Sequence, residues 1–348
     1  MNGIKTSAFL LAAAFAAFPA RARAAEAGAE SGYRLIKTMP LPGGGFWDYL
    51  TADSAARRLY VTRGTEVLAV DMDSLTVTGR ITGLKGVHGV ALAPELGKGF
   101  ISDGKADSVV IFDPATLKKT GEVKAGQGPD AIAYDPASRR VFAFNGHSGD
   151  CTVIDAAKGT ALKELPLPGR PETGAADGKG RVYVNLEDKS KIAVIDSLAM
   201  EVTAQWNLAP CEEPSGMGID AAGGRLFVGC HNGMMAVVDT ASGVVLSTVP
   251  IGEGVDANAF DPGAGLAFSS NGRSGTLTVA RETAPGKFSV VQNAATQKGA
   301  RTMAVDLRTH RVFLVAADYA PAPKPTPEHR WTRPRVLPGT IRVLVMER

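Results

Sequence analysis

The strongest constraint on this chain is a repeat. Residues Gly128 to Pro166 read GPDAIAYDPASRRVFAFNGHSGDCTVIDAAKGTALKELP, and relatives of that stretch recur along most of the sequence. It begins with a short apolar run, Ala131 to Tyr134, stopped by Asp135-Pro136, a pair that favours a turn and cannot continue a paired strand. A second run spans Arg140 to Asn145, a third Cys151 to Ile154 closed by Asp155, and a fourth, more polar run Ala161 to Leu167. Four short strands in up-and-down order, punctuated by Asp, Gly and Pro, make one antiparallel sheet, the blade of a propeller.

The period can be counted. Aligning the turn after the first strand puts Asp53, Ala93, Asp135, Asp177, Asp220, Asp261 and Asp306 in register at steps of 40, 42, 42, 43, 41 and 45 residues. The turn after the third strand gives Asp71, Asp113, Asp155, Asp196 and Asp239 at steps of 42, 42, 41 and 43. Two independent landmarks share a period of 40 to 45 residues, which for four strands per unit is the signature of a propeller array. The expected fold is all-β, a seven-bladed β-propeller of four-stranded antiparallel blades. The repeated aspartates are read as turn-makers, their carboxylates accepting backbone N–H groups just ahead, so function is sought where blades differ.

The blades are expected at Phe46 to Ile81, His88 to Val123, Gly128 to Leu167, Glu172 to Leu208, Ser215 to Ile251 and Asp256 to Val291. The seventh has strands at Thr302 to Val305, Arg311 to Ala316 and Ile341 to Met346, then stops. Its missing strand is assigned to Tyr33 to Met39, so that the N-terminal strand pairs with the C-terminal one and closes the ring.

Residues 1–24 read as a secretory signal: Lys5 in the n-region, an apolar stretch Ala8 to Phe18, and Ala22-Arg23-Ala24 as a small-x-small cleavage site with Ala20-Arg21-Ala22 as its competitor. A single propeller domain, 25–348, is expected to follow, in the periplasm or outside the cell, acting as a monomer without a membrane span. The formal charge of +3 is matched by Lys5, Arg21 and Arg23, leaving a neutral body. A neutral body has no general attraction for phosphate backbones, so nucleic acid is not a favoured partner.

Several stretches resemble the YVTN-type propeller repeat: RRLYVT at Arg57 to Thr62, GVHGVAL at Gly86 to Leu92, GPDAIAYDP at Gly128 to Pro136, GRVYVN at Gly180 to Asn185 and GRLFVG at Gly224 to Gly229. LEDKSKIAVID at Leu186 to Asp196 and GARTMAVD at Gly299 to Asp306 point the same way. On these the chain resembles YncE-like exported seven-bladed propellers over nearly all of its length after the signal. The resemblance implies the fold and adds no reaction. Departures are Ala93-Pro94 in blade two, Arg281 in place of the second turn aspartate in blade six, and a long insertion in blade seven.

In such a blade the residues entering the first strand surround the mouth of the axial channel. They are Asp48, His88, Asp130, Glu172, Ser215, Asp256 and Arg301, and they vary between blades as an asymmetric site on a pseudo-symmetric scaffold requires. Loops between strands two and three add His147, His231 and Arg273, together with Arg63, Asp103, Lys105 and other polar residues, while Trp47 and Tyr49 flank Asp48 as a wall. This cup suits a small hydrogen-bonding ligand or a protein partner; the bland alternative is that its carboxylates bind neighbouring backbone amides and channel water. No cofactor is expected, although an oxygen-rich ring would suit Ca2+. His310 is expected as solvated surface on the opposite face.

Cys211 and Cys230 belong to the same blade and face and are read as a disulfide, which export permits, whereas Cys151 reads as a buried apolar residue. No C-x-x-C-H or C-x-x-C framework is present. The segment 317–339 carries six prolines and a basic, aromatic distal half; it is either a cover or contact surface for the cup, or a solvated excursion. The expected function is binding or scaffolding without catalysis. The alternative is a metal-assisted hydrolase or lactonase using the ring carboxylates and His88, though no Gly-x-Ser-x-Gly or His-Glu-x-x-His motif occurs. A quinone-dependent oxidoreductase has no sequence signature here.

Overall fold

The computed structural model describes Met1, residues 32–322 and residues 334–348; the expected signal segment and residues 323–333 of the insertion lie outside the described residues. Gly32–Arg348 forms one unit made of seven four-stranded antiparallel sheets. Their innermost strands are Trp47–Asp53, Val87–Ala93, Pro129–Asp135, Pro171–Ala176, Pro214–Asp220, Val255–Asp261 and Met303–Asp306. Each contacts the next and the last contacts the first, so the sheets form a closed ring. Among the described residues no helix is long and apolar enough to cross a membrane.

The two middle strands of each blade carry the core because neighbouring sheets cover both of their faces. Arg140–Asn145 is buried at every position after its first, whereas the outermost strand Glu201–Asn207 alternates exposed and half-buried residues. The third residue of every second strand is aromatic: Tyr60, Phe100, Phe142, Tyr183, Phe227, Phe268 and Phe313, all 0% exposed. Each such ring, wedged between blades, stabilises the array by about 2 to 3 kcal/mol through area removed from water.

Closure follows the expected scheme. The outer strand of blade seven is Arg34–Pro40, which pairs antiparallel with Arg342–Glu347, matching Leu35 to Met346 and Thr38 to Leu344. Every strand in this blade lies within a residue of its expected bounds.

The repeated aspartates make turns. Asp53 accepts the Ala56 amide at 2.9 Å and Asp220 that of Gly223 at 2.8 Å, while in the second set Asp71 and Asp239 accept the amides of Ser74 and Ser242, both at 2.7 Å. Some also join blades: Asp135 accepts the Ser197 hydroxyl at 2.6 Å, and Asp306 accepts Arg57 Nη1 at 2.6 Å. His310 is at the surface as expected, its side chain 43% exposed, and it also makes specific contacts. Its Nδ1 lies 2.7 Å from the buried Asp261 carboxylate of blade six, and its carbonyl accepts the Tyr33 hydroxyl at 2.8 Å, so it ties the last two blades together.

Candidate functional site

The ring residues owe their position to a defect repeated in the innermost strands. Pairing with the second strand slips between Trp47 and Leu50, Val87 and Val90, Pro129 and Ile132, Pro171 and Gly174, Pro214 and Met217, and Val255 and Ala257. Such a bulge frees a residue from strict alternation and re-aims its side chain. The second residue of each of these strands falls in the slip, and those residues are Asp48, His88, Asp130, Glu172, Ser215 and Asp256. Arg301, just ahead of the seventh inner strand, completes the circle.

Six of these seven side chains meet in two clusters, and Glu172 is tied to them only through the charges of Asp130, Asp256 and Asp48. His88 Nδ1 lies 2.6 Å from Asp48 Oδ2 and 3.5 Å from Asp130 Oδ1. Arg301 donates from Nη1 to Asp256 Oδ2, sits 3.5 Å from Asp48 Oδ1 through Nη2, and donates to the Trp47 carbonyl at 3.1 Å. Asp256 also accepts the Ser215 hydroxyl at 3.0 Å. Asp48 therefore links His88 and Arg301. Thr302, beside Arg301, donates to the Asp48 carbonyl at 2.8 Å and fixes the seam between blades seven and one.

The electrostatics follow from four acids, one guanidinium and one imidazole in a confined mouth. Burial, then the charge of Asp48, raises Asp130 to about 6. Glu172 is raised further, to about 9, by burial and then by Asp130 and Asp256, with no cation among the opposing causes; it is a neutral acid at pH 7. Burial also raises Asp256 despite the Arg301 guanidinium. Burial disfavours the His88 imidazolium, yet the hydrogen bond to Asp48 and the charges of Asp130 and Asp48 outweigh it and raise the group. Burial together with Glu172, Asp130 and Asp48 lifts the Tyr49 phenol well above its ordinary value.

Asp130 Oδ1 is enclosed and makes no hydrogen bond among the described residues, so the ring carboxylates are not all taken up by neighbouring backbone amides. Gly104 shapes the other side of His88: a Cβ there would lie 2.7 Å from His88 Nε2 and 3.0 Å from the Pro129 carbonyl.

The remaining expected residues stand apart. His147 is exposed and lies against Gly128. His231 stands between Glu213 at 3.6 Å and Glu187 at 3.9 Å, and Arg273 is exposed beside Gly254. Among the described residues none of the three makes a hydrogen bond or ion pair to the ring. Trp47 is not a wall of the cup but core, 0% exposed among blade-one and blade-seven residues. Phe46 takes that place, 46% exposed and stacked on Trp47. Arg63 is 2% exposed and serves the scaffold, donating to the Pro42 carbonyl at 2.8 Å. Cys211 and Cys230 Sγ atoms are 2.06 Å apart in a disulfide, and Cys151 is buried.

The base of the insertion returns over this face. Tyr319 bridges to Val336, Ala320 donates to the Arg335 carbonyl at 2.8 Å, and the Tyr319 ring lies 6.3 Å from that of Trp47.

Fold and site together define a seven-bladed β-propeller with an asymmetric, charged channel mouth. The fold is similar to that of Kuenenia stuttgartiensis hydrazine synthase, with a TM-score of 0.68 at 14% identity over 76% of this chain and 91% of that one. It is also similar to that of U3-55K, with a TM-score of 0.73 at 9% identity over 90% of this chain and 99% of that one. At such identities the likeness concerns the fold alone. No protein-family model and no curated protein matches the sequence.

Proposed function

We propose that this protein is an exported, monomeric binding propeller of the YncE-like kind, whose channel-mouth ring holds a small polar ligand. The observation that carries the reading is Asp130, whose side chain is 34% exposed and whose Oδ1 has, among the described residues, only His88 Nδ1 nearby, at 3.5 Å, set beside a neutral Glu172 and the Arg301 guanidinium. An ionised carboxylate accepts through both oxygens, so the exposed part of the Asp130 group has acceptor capacity that a ligand N–H or O–H would fill. Glu172, holding its proton to about pH 9, would donate to a ligand carbonyl or hydroxyl.

A thermal-shift screen of polar metabolites against the full protein and its Asp130→Ala and His88→Ala variants tests this. Compounds that raise the melting temperature of the parent protein are expected to lose that effect in both variants; ligands indifferent to both replacements would move binding away from the ring.

A second reading rests on one observation. Ligand atoms of Asp48, His88 and Asp130 lie within 4.8 Å of one another, close enough to share a divalent cation and so to support metal-assisted hydrolysis of a lactone or ester. Two carboxylates and an imidazole suit Zn2+ or Mn2+ better than Ca2+, which takes six to eight oxygens. Against it, His88 Nδ1 is engaged by Asp48 and Arg301 stands 3.5 Å from Asp48. Elemental analysis, with melting measured in EDTA and in added Zn2+, Mn2+ or Ca2+, separates the two readings.

A further inference from the structure

Two cavities open beside the ring, and Phe46 borders both. One, of about 400 Å3, is walled by Phe46, Asp48, Lys85, His88 and Lys105. The other, of about 440 Å3, lies between Gly44, Gly45 and Phe46 on one side and Pro334, Arg335 and Pro338 on the other. The exposed Phe46 ring has Trp47 at 5.7 Å, nearly parallel, and the Arg301 guanidinium 5.2 Å from its centroid. It is an exposed apolar plate beside the Arg301 guanidinium.

The charges on these walls do not cancel. Asp48, the acid of the first cavity, is engaged by His88 and Arg301. Lys85 and Lys105 make no ion pair among the described residues, and Arg335 adds a positive group at the second cavity. The placement of Lys105 is built in: a Cβ on Gly86 would lie 2.6 Å from Lys105 Cγ and 3.0 Å from its Cβ, so only glycine lets that stem lie across the loop. The Gly86 loop is itself held by Asp103, which accepts the amides of Gly86 at 2.7 Å and Lys85 at 2.9 Å.

We infer that the ligand is an amphipathic organic acid, its carboxylate held between Lys85 and Lys105 and its flat apolar portion laid on Phe46 toward Pro334 and Pro338. The inference rests on the ring face being the binding face and narrows the class of ligand it takes. An aromatic plate supplies contact area at little entropy cost. Two lysines that make no ion pair among the described residues, Lys85 acting on Glu122 only at longer range, supply a charge that an acid satisfies and an amine does not.

The test uses three probes of one size: 3-phenylpropionate, 3-phenylpropanamide and 3-phenylpropylamine, titrated calorimetrically into the full protein at low salt. The acid is expected to bind at least tenfold tighter than the amide, with the amine weakest. Lys85→Met combined with Lys105→Met should bring the acid to the level of the amide, while the paired Lys→Arg variant keeps the preference. Phe46→Ala should weaken acid and amide alike. All these positions are exposed, and unchanged melting temperatures would show that the variants are folded. An amine that binds as well as the acid, or an acid indifferent to both lysines, overturns the anionic class. No binding of any probe overturns the cleft, whereas the ring reading is decided separately by the Asp130→Ala comparison in the polar-ligand screen.

Discussion

The Tyr49 hydroxyl lies 3.1 Å from Thr173 Oγ1, joining residues 124 apart in sequence. Tyr49 comes from the inner strand of blade one and Thr173 from that of blade four, so the bond spans the axial channel. The phenol ring also packs against the core shared by blades three and four. Tyr49 is thus a cross-piece below the ring, and its two contributions separate by mutation. Tyr49→Phe loses only the hydrogen bond, about 1 kcal/mol, whereas Tyr49→Ala also loses the packing and is expected to cost about 2 to 3 kcal/mol. Urea unfolding reads both, and a Tyr49→Ala protein as stable as the parent would show that the cross-piece bears no load.

Asp48 controls the charge of His88. The imidazole is partly buried, which by itself favours the neutral form, and the bond to Asp48 reverses that preference. Asp48→Asn is therefore expected to lower the His88 titration midpoint, followed by NMR of the imidazole protons against pH. Asp130→Asn should lower it too, since Asp130 acts through its charge at 3.5 Å. A midpoint unmoved by Asp48→Asn would mean that the pair does not exist in solution.

The periodicity of Asp and Gly made the blade count and the closing strand legible, because each blade must repeat the same turn chemistry and because an unpaired edge at the end of an array needs a partner. The ring was legible for the same reason: position two of the inner strand has one structural meaning in blades one to six, and Arg301 stands just ahead of the seventh strand. What no reading of period could supply was direction. Trp47 and Phe46 are adjacent large apolar residues that point to opposite sides of an extended chain, and the repeat period does not say that Trp47 enters the core while Phe46 is exposed. His147 and Arg273 make no bond to the ring among the described residues, and His231 reaches it only through its charge on Asp256. The contacts of His310 with Asp261 and Tyr33 join chain segments whose proximity depends on the closed circle, so its local sequence gives no signal.

Arg57 holds the ring shut from the opposite side of the seam. Its Nη1 meets the 0% exposed Asp306 of blade seven at 2.6 Å, and its Nη2 meets the surface carboxylate of Asp73 at 2.7 Å. Losing Asp306 would leave a guanidinium that is only 12% exposed facing an empty pocket, and would also remove the acceptor for the Arg308 amide at 3.2 Å. Asp306→Ala is expected to destabilise by about 3 kcal/mol, the lower end for breaking a buried pair. Asp73→Ala, at the exposed end of the same arginine, should cost under about 1 kcal/mol. Equal effects of the two, measured by chemical denaturation, would contradict the assignment of Asp306 as the inter-blade anchor.

Glu172 gives the protein a stability that depends on pH in a window set by its own proton. In the unfolded chain a glutamic acid ionises near 4.5; in the propeller, burial and the neighbouring acids hold the proton to about 9. Between those values the folded state binds more protons than the unfolded state, so stability falls as pH rises, and the loss is complete above about 9. Asp130, raised from 3.8 to about 6, adds to the fall at the acidic end of the window. One fully retained proton corresponds to at most about 1.4 kcal/mol per pH unit, reduced here because the carboxyl is partly open to channel water. Glu172→Gln keeps the shape and the neutral charge at every pH, so it should match the parent protein near pH 4 and exceed it increasingly up to pH 9. Melting temperatures across that range, in one buffer ionic strength, provide the measurement. Parallel curves for the two proteins would mean that Glu172 ionises as it does in the unfolded chain and that the channel mouth is open to bulk water.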